Sequence, residues 1–417
     1  MEIFFSVGEP SGDLHGANLI RQFHAIDGEI RCTGFGGPRM AEAGCDLQFD
    51  MTRLAVMWFA RAVANLHHFL MALARADRTF RQHRPDAVVL IDFPGFNWWV
   101  ARRAKRHGIP VFYYGPPQIW AWAPWRIHKM RRLVDHVLCK LPFEKLWYAE
   151  KGCTAVYVGH PYFDEVERTQ LDQTFIESRA DDTPLVTVLP GSRTQEVQLN
   201  LPSLLKAAGR IKARVPGTRF AVAAFRPQHA VMARRESESL GVPVDVFVGR
   251  TAELIEAADC CLAVSGSVSL ELLSYAKPTV IVYQVSRVAF FAQRLFRTVK
   301  YITLVNLLGD EKLNPDDVEL YDPRAEDADR VLMPEYLTCE DRSADMAQHV
   351  IEWLTDRQKL AAKVAQLTRL KEKIVRPGAS QRAARYIVER LSQPSADGTL
   401  GGPHFAIAPQ ATKRRAS

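Results

Sequence analysis

At 417 residues the chain is long enough for two domains of ordinary size. Its 47% hydrophobic and 24% charged residues exclude a disordered or fibrous protein and point to a soluble globular one. The net charge of +7 suits nucleic acid, an anionic membrane surface or a phosphorylated substrate. No helix-turn-helix, zinc-finger or RNA-binding signature accompanies it, which sets nucleic acid aside. No apolar run reaches the roughly 18 residues of a membrane-spanning helix. The start, Met1-Glu2-Ile3-Phe4-Phe5-Ser6, reads as a strand rather than a leader. The seven cysteines are scattered and never spaced C-x-x-C, the pattern of reduced thiols rather than of disulfides or a zinc site.

Short apolar runs alternate with helical patterns along the chain. Ile3–Val7 predicts a strand, followed by a polar turn and a helix from about Leu14. Ala87–Ile91, Val111–Tyr114, Val134–Lys140 and Ala155–Val158 complete a first half. Leu185–Leu189, Phe220–Ala224, Val244–Val248, Cys260–Val264 and Thr279–Tyr283 make a second. Strands alternating with helices imply parallel sheets, so the expected fold is α/β, with two doubly wound, Rossmann-like domains of about five strands each. The expected division is 1–170 and 171–342, with the boundary in the polar stretch near Thr169–Thr183. Helices over 343–392 cross back toward the first domain, and a disordered tail rich in Pro, Ser, Gly and Ala fills 393–417.

Ligands of such sheets bind at the carboxyl ends of the strands, and the polar loops of this chain all follow strands. Leu189-Pro190-Gly191-Ser192-Arg193 and Ser265-Gly266-Ser267-Val268-Ser269-Leu270-Glu271 carry the strongest signal. Small residues admit close approach of a ligand to backbone N–H groups. Arg193 offers a charge-assisted phosphate contact, and Glu271, one turn on, suits a ribose diol. A single Gly-Ser turn is an ordinary αβ connection; the pair describes a cradle for a nucleotide diphosphate. In the first half, Gly8-Glu9-Pro10-Ser11-Gly12-Asp13-Leu14-His15-Gly16 offers Glu9, Ser11, Asp13 and His15 to a sugar or a reacting hydroxyl, while Ser11 or Asp13 could equally cap the helix. This turn lacks G-x-G-x-x-G, which argues against a dinucleotide. Asp92, ending a buried strand in Asp92-Phe93-Pro94-Gly95-Phe96-Asn97, is placed for a general base or for tying down its loop. Gln118-Ile119-Trp120-Ala121-Trp122 suits sugar stacking or plain packing, and His160 of Gly159-His160-Pro161 reads as structural. Loops from both halves place the active site in the cleft between domains. Two aromatic stretches, 55–71 and 287–300, suit contact with a membrane or an acyl chain as well as core helices. No metal site is read: Asp327-Ala328-Asp329 has D-x-D spacing but sits in a solvated acidic segment. No cofactor is called for.

Taken in order, these motifs resemble the lipid-A-disaccharide synthases, glycosyltransferases of the GT-B fold. The resemblance runs from Ile3 to about Leu391. It includes Gly34-Phe35-Gly36-Gly37, Leu141-Pro142-Phe143-Glu144 and Asn306-Leu307-Leu308 beside the loops above. It implies transfer of the sugar of UDP-2,3-diacylglucosamine to the 6-hydroxyl of 2,3-diacylglucosamine 1-phosphate. The product is a β-1,6 disaccharide 1-phosphate, formed with inversion at the cytoplasmic face of the inner membrane. By motif, Asp92 is the base and Glu9, Ser11 and Asn306 line the reacting sugars. Gly191, Ser192, Arg193, Ser265, Gly266 and Ser267 hold the diphosphate, and Glu271 the ribose. A homodimer is compatible with the fold. There are two departures. Many members carry a second acid where this chain has Gly95. The family's Val-Pro-Glu segment has its counterpart at Met333-Pro334-Glu335, delayed by an acidic insertion around Asp316–Arg330. Two competing readings remain: another GT-B enzyme acting on UDP-N-acetylglucosamine, such as a 2-epimerase or a peptidoglycan-type transferase, and a non-catalytic UDP-sugar binder at a membrane surface.

Overall fold

The computed structural model describes residues 1–52, 66–179, 181–310, 318–326 and 328–393. The expected disordered tail, most of the first aromatic stretch and Asp327 lie outside these. Contacts divide the described residues into two compact units, one of 1–114, 131–136 and 383–393, the other of 115–130 and 137–382.

Two sheets organise the chain. The first contains β1 (Glu2–Val7), β2 (Arg31–Gly36), β3 (Asp46–Asp50), β4 (Ala87–Ile91), β5 (Val111–Tyr114), β6 (His136–Cys139) and β7 (Ala155–Tyr157), in the order β3-β2-β1-β4-β5-β6-β7. The second contains β8 (Leu185–Leu189), β9 (Arg219–Ala224), β10 (Asp245–Val248), β11 (Cys260–Val264), β12 (Thr279–Gln284) and β13 (Glu335–Thr338), in the order β10-β9-β8-β11-β12-β13. β1 pairs in parallel with β2 and β4, and β8 with β9 and β11. Helices cover both faces, so the central strands are buried and mostly apolar: every residue of β4, β8 and β11 is buried, Thr187 of β8 included. In β8 alternate residues feed opposite cores, Val186 and Val188 on one face and Leu185 and Leu189 on the other.

The described sheets hold seven and six strands rather than about five each. The additional strands are β2, β3 and β13. β2 reads Arg-Cys-Thr-Gly-Phe-Gly, and its glycines look like turn residues. Gly34 instead takes φ +133° beside a register shift, where a Cβ would collide with the carbonyl of Phe5. β3 is a polar edge strand, bounded by Asp46 and Asp50. The first helix begins at Pro10 rather than near Leu14, with proline tolerated in a first turn whose N–H groups have no intrahelical partner.

Both sheets reverse strand order once near the middle, at β1/β4 and at β8/β11. A doubly wound sheet opens a crevice at the carboxyl ends of such a strand pair. The four loops given most weight in the sequence follow these four strands.

Candidate active site

At the first reversal the β1 turn packs directly on the β4 turn. A Cβ on Gly8 would lie 2.5 Å from the Phe93 ring, and one on Gly12 would lie 2.6 Å from Asp92 Oδ2. Asp92 and Phe93 both hold positive φ, +50° and +40°, a conformation that costs a non-glycine residue roughly 1–2 kcal/mol. Asn97 holds this turn in place. Its Oδ1 accepts from Ser6 Oγ (2.7 Å), and its Nδ2 donates to the carbonyls of Ser6 (3.2 Å), Ile91 (3.2 Å) and Asp92 (2.8 Å). The Tyr113 hydroxyl also donates to the Asp92 carbonyl (2.7 Å). Burial above all pushes the Tyr113 phenol well up; the charge of Asp92 and, more weakly, that of Glu9 add to it, against a hydrogen bond with Asn97. Glu9 is half-buried at the N-cap position, and Ser11 is exposed in the first turn.

Neither Ser11 nor Asp13 caps its own helix, since the N-cap residue is Glu9 and makes no side-chain cap bond. Asp13 is buried and reaches across to the helix Pro38–Glu42. It accepts from the backbone N–H groups of Gly37 (2.8 Å), Arg39 (3.1 Å) and Met40 (3.1 Å). Its role is to anchor that helix start.

The second reversal is open. Gly191 has φ +105°, and a Cβ there would stand 3.9 Å from Val264 Cβ, so the β8 and β11 turns are neighbours. Ser192, Arg193, Gly266 and Ser267 are exposed. A Cβ on Gly266 would meet nothing within 4 Å. Arg193 precedes the helix Thr194–Arg214, and its Nη1 donates to Glu196 Oε1 (2.9 Å) with the Arg193 side chain 62% exposed. A pair so exposed is worth no more than about 1 kcal/mol and yields readily to a phosphate. Glu271, in the helix Val268–Ser274, accepts from the Tyr162 hydroxyl at 2.7 Å. Burial raises the Glu271 carboxyl and the Tyr162 bond partly restores it. Tyr162 has no signal in the sequence beyond its place after Gly159-His160-Pro161.

Asn306 is buried. Its Nδ2 donates to the Met333 carbonyl (2.7 Å) and to Glu335 Oε2 (2.9 Å), and its Oδ1 accepts from Met333 N–H (2.9 Å). The aromatic loop divides its two roles. Trp120 is fully buried and donates to Glu144 (3.1 Å), whereas Trp122 is 39% exposed. His160 is buried and its Nδ1 accepts from the Tyr162 N–H (3.2 Å), a structural bond. Part of the acidic insertion is seated: Tyr321 lies edge-on to Tyr336 of β13, with ring centroids 5.6 Å apart.

Several solved structures share the fold. A structure of Staphylococcus aureus MnaA with UDP superposes with a TM-score of 0.62 at 11% identity, over 94% of this chain and 96% of that one. UDP-GlcNAc 2-epimerase from Neisseria meningitidis, bound to UDP-GlcNAc, gives 0.57 at 11% identity, over 94% and 99%. The glycotransferase of kitacinnamycin gives 0.57 at 15% identity, over 94% and 98%. At such identities the likeness establishes the fold alone, two parallel-sheet α/β domains of the GT-B type. Sequence separates the branches. Lipid-A-disaccharide synthase of Trichlorobacter lovleyi is 32% identical over 94% of this chain and 98% of its own length. That of Myxococcus xanthus is 34% identical over 75% and 82%. The family model described as lipid-A-disaccharide synthetase matches residues 3–373. The chain therefore belongs to the lipid-A-disaccharide synthetase family, glycosyltransferases of lipid A disaccharide synthesis.

Proposed function

We propose that the donor is UDP-2,3-diacylglucosamine, the acceptor is the 6-hydroxyl of 2,3-diacylglucosamine 1-phosphate, and the base is Asp92. The observation that carries the reading is the packed turn pair at the first reversal, which holds the Asp92 carboxylate in a strained conformation against the turn that carries Glu9. Asp92 takes the proton of the 6-hydroxyl as that oxygen attacks the anomeric carbon. The anomeric bond to UDP breaks in the same displacement, inverting the centre. Glu9 and Ser11 orient the sugars. Ser192, Arg193 and the N–H groups of Gly191 and of Ser265 to Ser267 meet the charge on the departing diphosphate. One oxygen of Glu271 is engaged by Tyr162, leaving the other to accept from the ribose.

The substrates carry acyl chains, and each unit presents apolar side chains to solvent. Leu66, Leu70 and Met71 are exposed on the helix Leu66–Gln82. Val288, Phe291 and Phe296 are exposed on the helix Arg287–Phe296 beside Arg287 and Arg294, and the exposed Trp125 ring lies 6.4 Å from Phe296. Apolar residues rimmed by arginine suit an anionic membrane surface. The proposal therefore includes peripheral attachment at the cytoplasmic face of the inner membrane; no described helix is long and apolar enough to cross it. A homodimer belongs to the same proposal and is read from the mass in solution.

The test is UDP release from UDP-2,3-diacylglucosamine with and without 2,3-diacylglucosamine 1-phosphate. Acceptor-dependent release with a disaccharide phosphate by mass is the expected result. Turnover of UDP-N-acetylglucosamine instead would keep the fold and overturn the substrates, and silence with both would leave a UDP-sugar binder.

A further inference from the structure

Glu335 opens β13 and is 3% exposed, an unusual place for an acid. It pairs in register with Ile281 of β12, away from the carboxyl edge where ligands bind. The three described donors around it come from one segment: Ile302 N–H reaches Oε1 (2.7 Å), and Thr303 N–H (3.0 Å) and Asn306 Nδ2 (2.9 Å) reach Oε2. That segment leads in two directions. The carbonyl of Ile302 accepts from Ser265 Oγ at 3.3 Å, so the peptide fixed by Glu335 also fixes the first hydroxyl of the β11 loop. Asn306 is held by Glu335 on one side and by Met333 on the other. The charge facing Glu335 is Arg297, whose own guanidinium donates to the carbonyls of Lys300 (3.3 Å) and Val318 (3.2 Å). A hydrophobic residue in this sheet position would serve the core better, because a buried carboxylate is costly unless its hydrogen bonds set something in place.

We propose that Glu335 is a positioning residue for the transfer reaction, setting the Ile302–Asn306 segment so that the Ser265 loop meets the UDP-sugar. This rests on the placing of UDP at the Ser265–Ser267 loop. Glu335 touches no substrate; it acts through the Ile302 peptide and the Asn306 amide. A glutamine in its place keeps the volume but turns one oxygen into a donor, which must then face an N–H.

The test uses the full chain, with UDP affinity, steady-state kinetics and thermal melting measured for Glu335→Gln, Ser265→Ala and the double variant. Expected are a folded Glu335→Gln protein with UDP affinity about 10-fold weaker and kcat about 10-fold lower, and a double variant no weaker for UDP than Glu335→Gln alone, the mark of residues acting as one unit. A residue serving stability alone would lower the melting temperature and leave both UDP affinity and kcat of the folded protein unchanged, and that result overturns the proposal. Fully additive losses in the double variant overturn the route through Ser265. If Ser265→Ala alone binds UDP normally, the placing of UDP at this loop is what fails. Should Glu335→Gln give no folded protein, Glu335→Asp, which keeps the charge and shortens the reach, carries the same test: unchanged UDP affinity and kcat would again overturn it.

Discussion

The two strand reversals are alike in topology and opposite in construction. At β1/β4 the turns are pressed together, two residues hold positive φ, and one neutral amide, Asn97, stitches them. At β8/β11 the turns are open, the loop residues face solvent, and the support beneath them comes from carboxyl groups, Glu335 under the Ser265 loop and Glu271 on Tyr162. On the proposed roles, a turn that fixes one carboxylate gains from rigidity, and a turn that brings backbone N–H groups to a diphosphate gains from open space. The difference predicts that damage at the first reversal falls on turnover and spares UDP binding, whereas damage at the second always reaches UDP binding.

The largest expected effect is at Asp92. Asp92→Asn keeps the shape and removes the proposed base, so kcat should fall by at least ~100-fold with UDP affinity unchanged. Normal turnover would remove the role from this residue. Gly95 sharpens the result, because a Cβ there meets nothing within 4 Å. The added acid of Gly95→Asp therefore fits, and recovery of turnover in the Asp92→Asn, Gly95→Asp double variant would show that the neighbouring position can supply the base.

Paired glycine substitutions probe the same contrast more gently. In Gly12→Ala the new methyl would stand 2.6 Å from Asp92 Oδ2 and 2.9 Å from Val7 Cγ1, so the acid must shift. Turnover should drop by roughly 10-fold or more, since misplacing a catalytic group by about 1 Å costs up to ~100-fold, with UDP binding intact. Gly266→Ala meets nothing, so stability should stay within about 0.5 kcal/mol. Any loss of UDP affinity there reports close approach of ligand to the loop. Equal effects of both substitutions on UDP binding would break the comparison.

The kind of support predicts a difference in pH response. Burial pushes Glu335 up to about 7 against the pull of its hydrogen bonds. An acid raised in the folded state binds more protons folded than unfolded between its ordinary value near 4.5 and about 7. Its contribution to stability is therefore full below that window, is lost as pH rises through it, and is flat above. The total change is on the order of 3 kcal/mol. Unfolding by urea at several pH values should show this slope in the native chain and lose it in Glu335→Gln. Asn97→Asp would bring a comparable sensitivity to the first reversal, where the neutral amide gives none of its own.

Much of this was legible in the sequence because the central strands are mostly apolar: β4, β5, β8 and β11 are bounded by the residues that hydropathy marks. The polar loops after β1, β4, β8 and β11 could be named as site loops for the same reason. What hydropathy cannot mark are strands whose residues serve geometry, such as β2 with Gly34 under Phe5, or carry a buried charge, such as β13 with Glu335. Nor does a linear pattern tell an acid that reacts from one that holds. Asp13 and Asp92 are equally eye-catching in the sequence, yet Asp13 is committed to three backbone N–H groups of another helix. Asn306 entered only through the family resemblance, since its partners Met333 and Glu335 lie beyond an insertion. Tyr162, separated from Glu271 by more than a hundred residues, becomes visible only when the chain is folded.

Tyr162 also gives the smallest and most specific expected effect. Its hydroxyl is the described side-chain partner of Glu271, and that bond works against burial to keep the carboxylate ionised. Tyr162→Phe removes one oxygen and leaves the ring packed. The Glu271 carboxyl should then rise further, so the fraction able to accept from two ribose hydroxyls falls at any given pH. UDP affinity should weaken by a few-fold, the scale of one hydrogen bond of about 1 kcal/mol, and the loss should be larger at low pH than at high. Turnover at saturating donor should be nearly unchanged, because nothing at β1/β4 has been touched. The control is deoxyuridine diphosphate: having lost the 2′-hydroxyl, it should discriminate less between the native chain and Tyr162→Phe than UDP does. If the variant weakens both nucleotides equally and at every pH, Tyr162 is packing rather than a partner of the ribose-binding acid, and Glu271 loses its assignment with it.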